Sequence, residues 1–244
     1  MGLLNDQPEN VRRVLENVIA TFSKVLAPSF KSIILFGSAA EGRLRPASDV
    51  NLMVVLENCA PEILARLQPD LEFAATAIRL NVMFIDVAEL DAAMEAFAMK
   101  FADIIRRHRL LAGSDVLYGK QVPRTAALRQ TRQVLLNLTL RLRERCARSG
   151  EKPEIALAAV RNAIGPLRTS AAQVLELQGR AVPSPKEALV QFVGGCGRES
   201  LAYLPDYFSQ LREHAAPLTP SPQRVLANTL ELVQAMHAQT GLIA

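Results

Sequence analysis

Tryptophan is absent from this 244-residue chain, and aromatic residues are few, with three Tyr beside nine Phe. A protein that lays single-stranded nucleic acid over a stacking platform needs more rings than this, so that class is set aside. Cysteine is also scarce. Cys59, Cys146 and Cys196 stand far apart without a paired spacing, the usage of a reduced, cytoplasmic protein with neither disulfides nor a zinc site. No uncharged run approaches the roughly 18 residues that a membrane-crossing helix requires. The first residues lack the basic-then-apolar pattern of a secretory signal, so neither secretion nor a membrane is expected. Strong charge is missing too: the formal net charge is +4, too small to argue for nucleic acid as a partner. His108, His214 and His237 are isolated, which offers no metal cluster and no nucleophile–base pair. What the chain has is apolar mass. Half of its residues are hydrophobic and 21% are charged, enough to bury one large or two modest cores.

Periodicity orders the first half. Val11, Val14, Leu15, Val18, Ile19, Phe22 and Val25 fall at three- and four-residue steps and predict a helix over 7–27. Asp6 and Pro8 suit its start, and Pro28 its end. Residues 33–36 and 50–56 are short apolar runs bounded by Gly, Ser and Pro, the mark of buried strands. A helix is expected over 61–77, interrupted at Pro69, and a third strand over 79–85. Residues 87–111 read as one long helix closed by Gly113, and 115–118 as a short extended piece.

After Gly119-Lys120 only helical spacing is found. Helices are expected over 124–149 and 153–179, the second kinked or split at Gly165-Pro166. A third, over 185–193, starts at the capping box Ser184-Pro185-Lys186-Glu187 and precedes a glycine loop at 194–197. A fourth covers 199–214 with an interruption near Pro205; a Pro-rich connector at 217–222 leads to a last helix over 223–239. The expected organisation is an α+β domain over 1–120 and an all-α bundle over 121–244.

The stretch between the first two strands carries the chemistry. Gly37-Ser38 ends the first strand, where the missing Cβ permits close backbone approach and free N–H groups suit an anion. Gly42 follows Ser38 by four residues, Ser48 and Asp49 precede the second strand, and Asn51 lies two beyond Asp49 on the same strand face. Arg43 and Arg45 stand in the turn, where they would hold a phosphate or simply be solvated. This pattern resembles the nucleotidyltransferase superfamily of polymerase-beta type: Gly-Ser, a Gly four residues after that Ser, then Asp-x-Asp behind a Ser.

The resemblance implies a nucleotidyltransferase-type mixed sheet with flanking helices, followed by a helical bundle. It implies that Gly37, Ser38, Gly42, Arg43 and Ser48 hold the nucleotide, ATP or another nucleoside triphosphate. Asp49 matches a metal-binding, catalytic carboxylate. Asn51 matches the second, and Asn81, in the apolar run 78–90 ahead of Glu89-Leu90, matches the third. Chemistry of this type resembles a two-Mg²⁺ displacement at the alpha-phosphate. Mg²⁺ wants anionic oxygens, and an amide brings only a dipole, so weak, single-metal binding at Asp49 is the most that is expected. An amide at Asn81 also has no basic oxygen to activate an acceptor hydroxyl. Asp86 lies five residues beyond Asn81, on the opposite face and about 16 Å away on a straight strand, too far to substitute for it. Asn51 and Asn81 are expected to be buried amides bonded to each other or to Asp49.

Two readings follow. The first is a pseudoenzyme, inactive or weak, that binds nucleotide or docks a protein partner or a second copy of itself. The second is an active enzyme moving a nucleoside monophosphate onto a small molecule or a protein. The cluster Arg106, Arg107, His108 and Arg109 is expected to end a helix, where positive charge is favourable. Arg141, Arg143, Arg145 and Arg148 are expected on a solvated helix face. Some helical domains paired with this superfamily are RNases of the HEPN type, with an Arg four to six residues before a His; no Arg here stands so before any His.

Overall fold

The computed structural model describes residues 4–44, 48–181, 184–212 and 219–243. Arg45, His214 and the start of the 217–222 connector lie outside the described residues. The chain divides into two compact units, Met1–Pro123 and Arg124–Ala244.

The first unit is built on a four-stranded sheet of order β3-β2-β1-β4. Its strands are β1 (Phe30–Phe36), β2 (Val50–Leu56), β3 (Leu80–Asp86) and β4 (His108–Gly113). The sheet is mixed: β2 runs parallel to β3, and β1 runs antiparallel to both β2 and β4. Residues 33–36 of β1 and 52–56 of β2 are continuous apolar runs because both of their faces are covered. On one face Leu15, Val18 and Phe22 of α1 (Glu9–Val25), with Ala74 of α3 (Gln68–Ile78), pack on Ile33, Leu35, Leu52 and Val54. On the other, Leu90 and Met94 of α4 (Leu90–Ala96) and Phe101 and Ile104 of α5 (Ala98–Arg106) pack on Ile34, Met53, Val55 and Ile85.

Three expectations are corrected here. Residues 61–77 form two helices, α2 (Pro61–Ala65) and α3, and Pro69 sits in the first turn of α3, where its missing N–H is no loss. Residues 87–111 are not one helix. A 3-10 turn (Val87–Glu89), α4 and α5 come first, with Phe97 leaving helical dihedrals at φ −116, ψ 44 between the two helices. Arg107 then ends α5 at φ −143, and His108 begins a strand. Leu90, Met94, Phe97, Phe101 and Ile104 keep helical spacing across the break, which hides it in the sequence. The five residues 109–113 look like a helix end but, apart from Leu111 at a register shift, pair with the free edge of β1 and satisfy its backbone groups. His108 and Arg109 therefore lie on β4, and only Arg106 and Arg107 stand at a helix end. Residues 115–118 form a turn rather than an extended piece, with the Tyr118 N–H bonded to the Asp115 carbonyl at 3.2 Å.

The second unit is helical: α6 (Arg124–Ser149), α7 (Pro153–Leu177), α8 (Pro185–Gly195), α9 (Leu204–Arg212) and α10 (Pro222–Gly241). α6, α7 and α10 pack on one another, and α8 and α9 pack on α7. α7 passes Gly165-Pro166 as one helix. The Ser184 hydroxyl accepts the Glu187 N–H at 3.2 Å and donates to the Glu187 carboxylate at 2.7 Å, half of the expected capping box. The glycine loop is shorter than expected, because Gly194 and Gly195 finish α8 behind the buried Phe192 and Val193. Arg141, Arg143, Arg145 and Arg148 are exposed. Among the described residues no helix is long and apolar enough to cross a membrane.

Gly113 closes β4 at φ +82, and a Cβ there would collide with the Lys31 backbone carbonyl. Gly113→Ala is therefore expected to destabilise the protein by about 2–3 kcal/mol, since the strain is in backbone that neither strand can yield. Urea denaturation checks it; a loss under about 0.5 kcal/mol, the range of an ordinary surface change, would show that the end of β4 is free to move.

Candidate functional site

β1 delivers the chain at Phe36 into a 3-10 turn, Gly37–Ala39. The loop closes on itself: the Arg43 N–H donates to the Ser38 carbonyl at 2.9 Å. Side chains from distant segments then hold it. Asp6 accepts two bonds from Arg109, each 2.7 Å, and Arg109 also donates to the Ala40 carbonyl at 2.9 Å. Gln7 Nε2 donates to the Ala39 carbonyl at 2.8 Å. Arg107 donates to Glu41 at 2.7 Å while also holding Asp103. Gly42 is required by this clamp: it has φ +66, and a Cβ there would sit 2.7 Å from Asp6 Oδ2. Arg43 is exposed.

Strand register places the remaining residues. Phe36 lies opposite Asn51 on β2, and Asn51 lies beside Asn81 on β3. Paired residues point to one face, so these side chains form a row at the end of the sheet, on the side of α4 and α5. The amides are not the buried pair expected from the sequence. β3 is an edge strand and Asn81 its second residue, so Asn81 is exposed and Asn51 half-buried. The contact of Asn51 Nδ2 is with the Asp49 backbone carbonyl, at 3.4 Å.

Asp49 is exposed, and its Oδ1 accepts from Arg79 Nε at 2.8 Å. Arg79 is the C-cap of α3, a non-glycine residue at φ +53. Val50 pairs with Leu80, so Asp49 and Arg79 each stand one residue ahead of the same rung of the parallel ladder. Lys100 of α5 completes the group. Its ammonium lies 5.8 Å from the centroid of the Phe36 ring and 3.5 Å from Met83 Sδ. Those two residues are on β1 and β3, the strands that flank β2, so Lys100 spans the same face of the sheet that carries Asn51 and Asn81.

Asp86 is committed elsewhere. It pairs with Leu56 at the far end of β3, accepts the Cys59 N–H at 2.5 Å and caps the 3-10 turn with Glu89. Burial first, and then Asp86, push the Cys59 thiol up to about 12, so it stays protonated and is no nucleophile. His108, in the same row as Phe36, lies 3.3 Å from Asp115.

The donor set does not fit a pair of Mg²⁺ ions. Of the three positions that resemble metal ligands, one is a carboxylate, and it faces a guanidinium. Among the described residues no three His, Cys, Asp or Glu side chains are grouped to hold a metal. A hard divalent cation there would meet amide dipoles in place of anionic oxygen. An open pocket of about 540 Å³ adjoins the group through Ser48 and Arg79, on the side of α1 and α3, with Pro8, Asn10 and Leu44 in its wall. It does not reach Gly37, Ser38, Asn51 or Asn81.

The Asp6–Arg109 clamp has a pH signature. The bidentate bond from Arg109 holds the Asp6 carboxyl at about 2, below its ordinary 3.8. A depressed carboxylate stabilises the fold above its unfolded value, and the contribution disappears as pH falls from about 3.8 towards 2. The stability difference between wild type and Asp6→Asn is thus expected to be constant from neutral pH down to about pH 5 and to vanish near pH 2. Guanidinium denaturation across that range measures it; a difference independent of pH would show that the clamp acts by shape rather than charge.

The chain matches no family model and no curated protein sequence. Among solved structures it is similar to spectinomycin adenyltransferase AAD(9) from Enterococcus faecialis, crystallised with ATP and spectinomycin. The TM-score is 0.59 at 12% identity, over 92% of this chain and 98% of that chain. At that identity the likeness is one of fold, and it extends through both units: this chain has the fold of a nucleotidyltransferase, an α+β unit on a mixed sheet followed by a helical region.

Proposed function

We propose that this is a nucleotidyltransferase-fold protein that binds a nucleoside triphosphate, in the first instance ATP, without transferring its nucleotidyl group. It acts as a nucleotide-binding or interaction module, in the cytoplasm, with a protein partner or a second copy of the chain. The observation that carries this reading is Asp49 in an ion pair with Arg79, with amides on β2 and β3 beside it. Transfer by this fold resembles chemistry that concentrates negative oxygen around cations to steady a reacting phosphate. Here the one retained carboxylate already has a cationic partner, and no residue among Asp49, Asn51 and Asn81 is free to take a proton from an acceptor. Gly37, Ser38, Gly42, Arg43 and Ser48 are the residues proposed to hold the phosphates.

A second reading, transfer of a nucleoside monophosphate to a small molecule, is favoured by one finding. The adenyltransferase crystallised with ATP and spectinomycin aligns along 98% of its length, helical region included. Fold similarity alone does not carry activity across, and the site chemistry points the other way.

Calorimetric titration with ATP and GTP, with and without Mg²⁺, tests the proposal alongside a pyrophosphate-release assay. The wild type is expected to bind and to release no pyrophosphate. Asn51→Asp with Asn81→Asp in one chain is expected to gain Mg²⁺-dependent ATP binding, tighter by about tenfold or more. Pyrophosphate release by the wild type would establish the second reading instead.

A further inference from the structure

We infer that the site takes its polyphosphate free of divalent metal, with Arg79 neutralising Asp49 and Lys100 supplying the net positive charge in place of bound cations. The ligand class is a metal-free nucleoside triphosphate, and Mg²⁺ is an antagonist of binding rather than its cofactor. This rests on the nucleotide-binding reading above and adds to it the form of the ligand.

Three observations carry it. The first is the charge at the strand end. Asp49 and Arg79 cancel in their ion pair at 2.8 Å. Asn51, Asn81 and Phe36 bring none. Lys100 is left, and what it touches is a ring face and a thioether, groups that hold an ammonium without neutralising it. Among Asp49, Arg79 and Lys100 the charge with nothing bound is therefore positive. A site of three carboxylates would repel a triphosphate until metal arrived; this one attracts it directly.

The second is donor chemistry. A carboxylate accepts hydrogen bonds only, whereas each Asn amide offers two N–H donors. Replacing acid by amide at Asn51 and Asn81 thus turns two groups that repel phosphate oxygen into two that can bond it. Asn51 is aimed for this: its Nδ2 lies 3.5 Å from the point a Cβ on Gly37 would occupy, against the turn.

The third is how the cations are fixed. Arg79 is held at φ +53 between a helix end and a strand start, with its carbonyl accepting the Val50 N–H at 3.2 Å. An ordinary residue avoids that backbone conformation, so the start of the side chain is fixed in place, and the ion pair with Asp49 holds the guanidinium at its end. Lys100 is carried by α5, whose Phe101 and Ile104 are locked in the core.

Titration of ATP into the full-length protein, once in EDTA and once in excess Mg²⁺, tests the inference. ATP is expected to bind about tenfold more tightly in EDTA, because Mg²⁺ removes much of the ligand's negative charge. Inorganic tripolyphosphate in EDTA is expected to compete with it. Lys100→Met keeps the stem on Phe36 and Met83, should leave the thermal midpoint unchanged, and is expected to weaken metal-free binding by about tenfold to a hundredfold. It should also remove the difference between EDTA and Mg²⁺. Binding that tightens with Mg²⁺, or an affinity that Lys100→Met does not change, overturns this inference and leaves nucleotide binding standing. No binding of ATP or GTP in either condition overturns the nucleotide-binding reading itself.

Discussion

The register of β2 is the constraint on which the rest depends. This strand is paired on both sides, antiparallel to β1 and parallel to β3, and Leu52 to Leu56 have no exposure. Leu52 and Val54 belong to the core under α1 and α3, and Met53 and Val55 to the core under α4 and α5. A slip by one residue would exchange the two sets and drive the Asn51 amide into apolar packing, at about 1–3 kcal/mol for its unmet hydrogen bonds alone. The cores therefore decide where Asn51 stands, and through the pairings Asn51 to Asn81 and Val50 to Leu80 they also decide that Asp49 meets Arg79. The site is a by-product of packing on both faces of one strand.

The turn after β1 obeys a different rule. Its own sequence is small and polar, and nothing local would hold it in one shape. It is held instead by Asp6, Gln7, Arg107 and Arg109, and the bond from Arg109 to Asp6 spans 103 residues of sequence. The N-terminal segment, the turn and β4 thus form one hydrogen-bonded assembly around Gly42. Rigidity in that loop is an electrostatic property of the whole unit, so charge changes far from the turn act on it.

These two rules explain what could be read from the sequence. β1 and β2 are legible as short apolar runs between chain-breaking residues, buried on both faces, and α1 and α6 because burial repeats at the helical period along each. β4 is not, because the apolar steps from Leu90 to Ile104 cross the break at Phe97 without losing phase, and its strand character comes only from the free edge of β1. The Gly194-Gly195 pair misleads in the opposite direction, since buried Phe192 and Val193 carry the helix through residues that locally disfavour it. Gly37, Ser38, Asp49, Asn51 and Asn81 are found by spacing. Arg79 becomes visible only once β2 and β3 are known to be parallel, which makes the residues just ahead of each strand neighbours. Lys100 has no sequence signal at all, because it lies in the stretch whose breaks are hidden. The clamp residues are missed for the same reason: Arg109 was expected on a helix.

The exchange of acid for amide changes what this backbone asks of a ligand. Carboxylates at the end of β2 and β3 demand cations and accept phosphate only through them. Amides at the same two places, with an arginine on the remaining carboxylate and a lysine above the strand, present donors and positive charge with no intermediary. The two arrangements oppose each other on one sheet: a metal at Asp49 would share the carboxylate with the Arg79 guanidinium, without the anionic ligands needed to offset that repulsion. Neither core of the first unit includes these residues. On the reading proposed here, its binding preference has turned from metal to anion by changes at exposed and half-buried positions that packing leaves unconstrained.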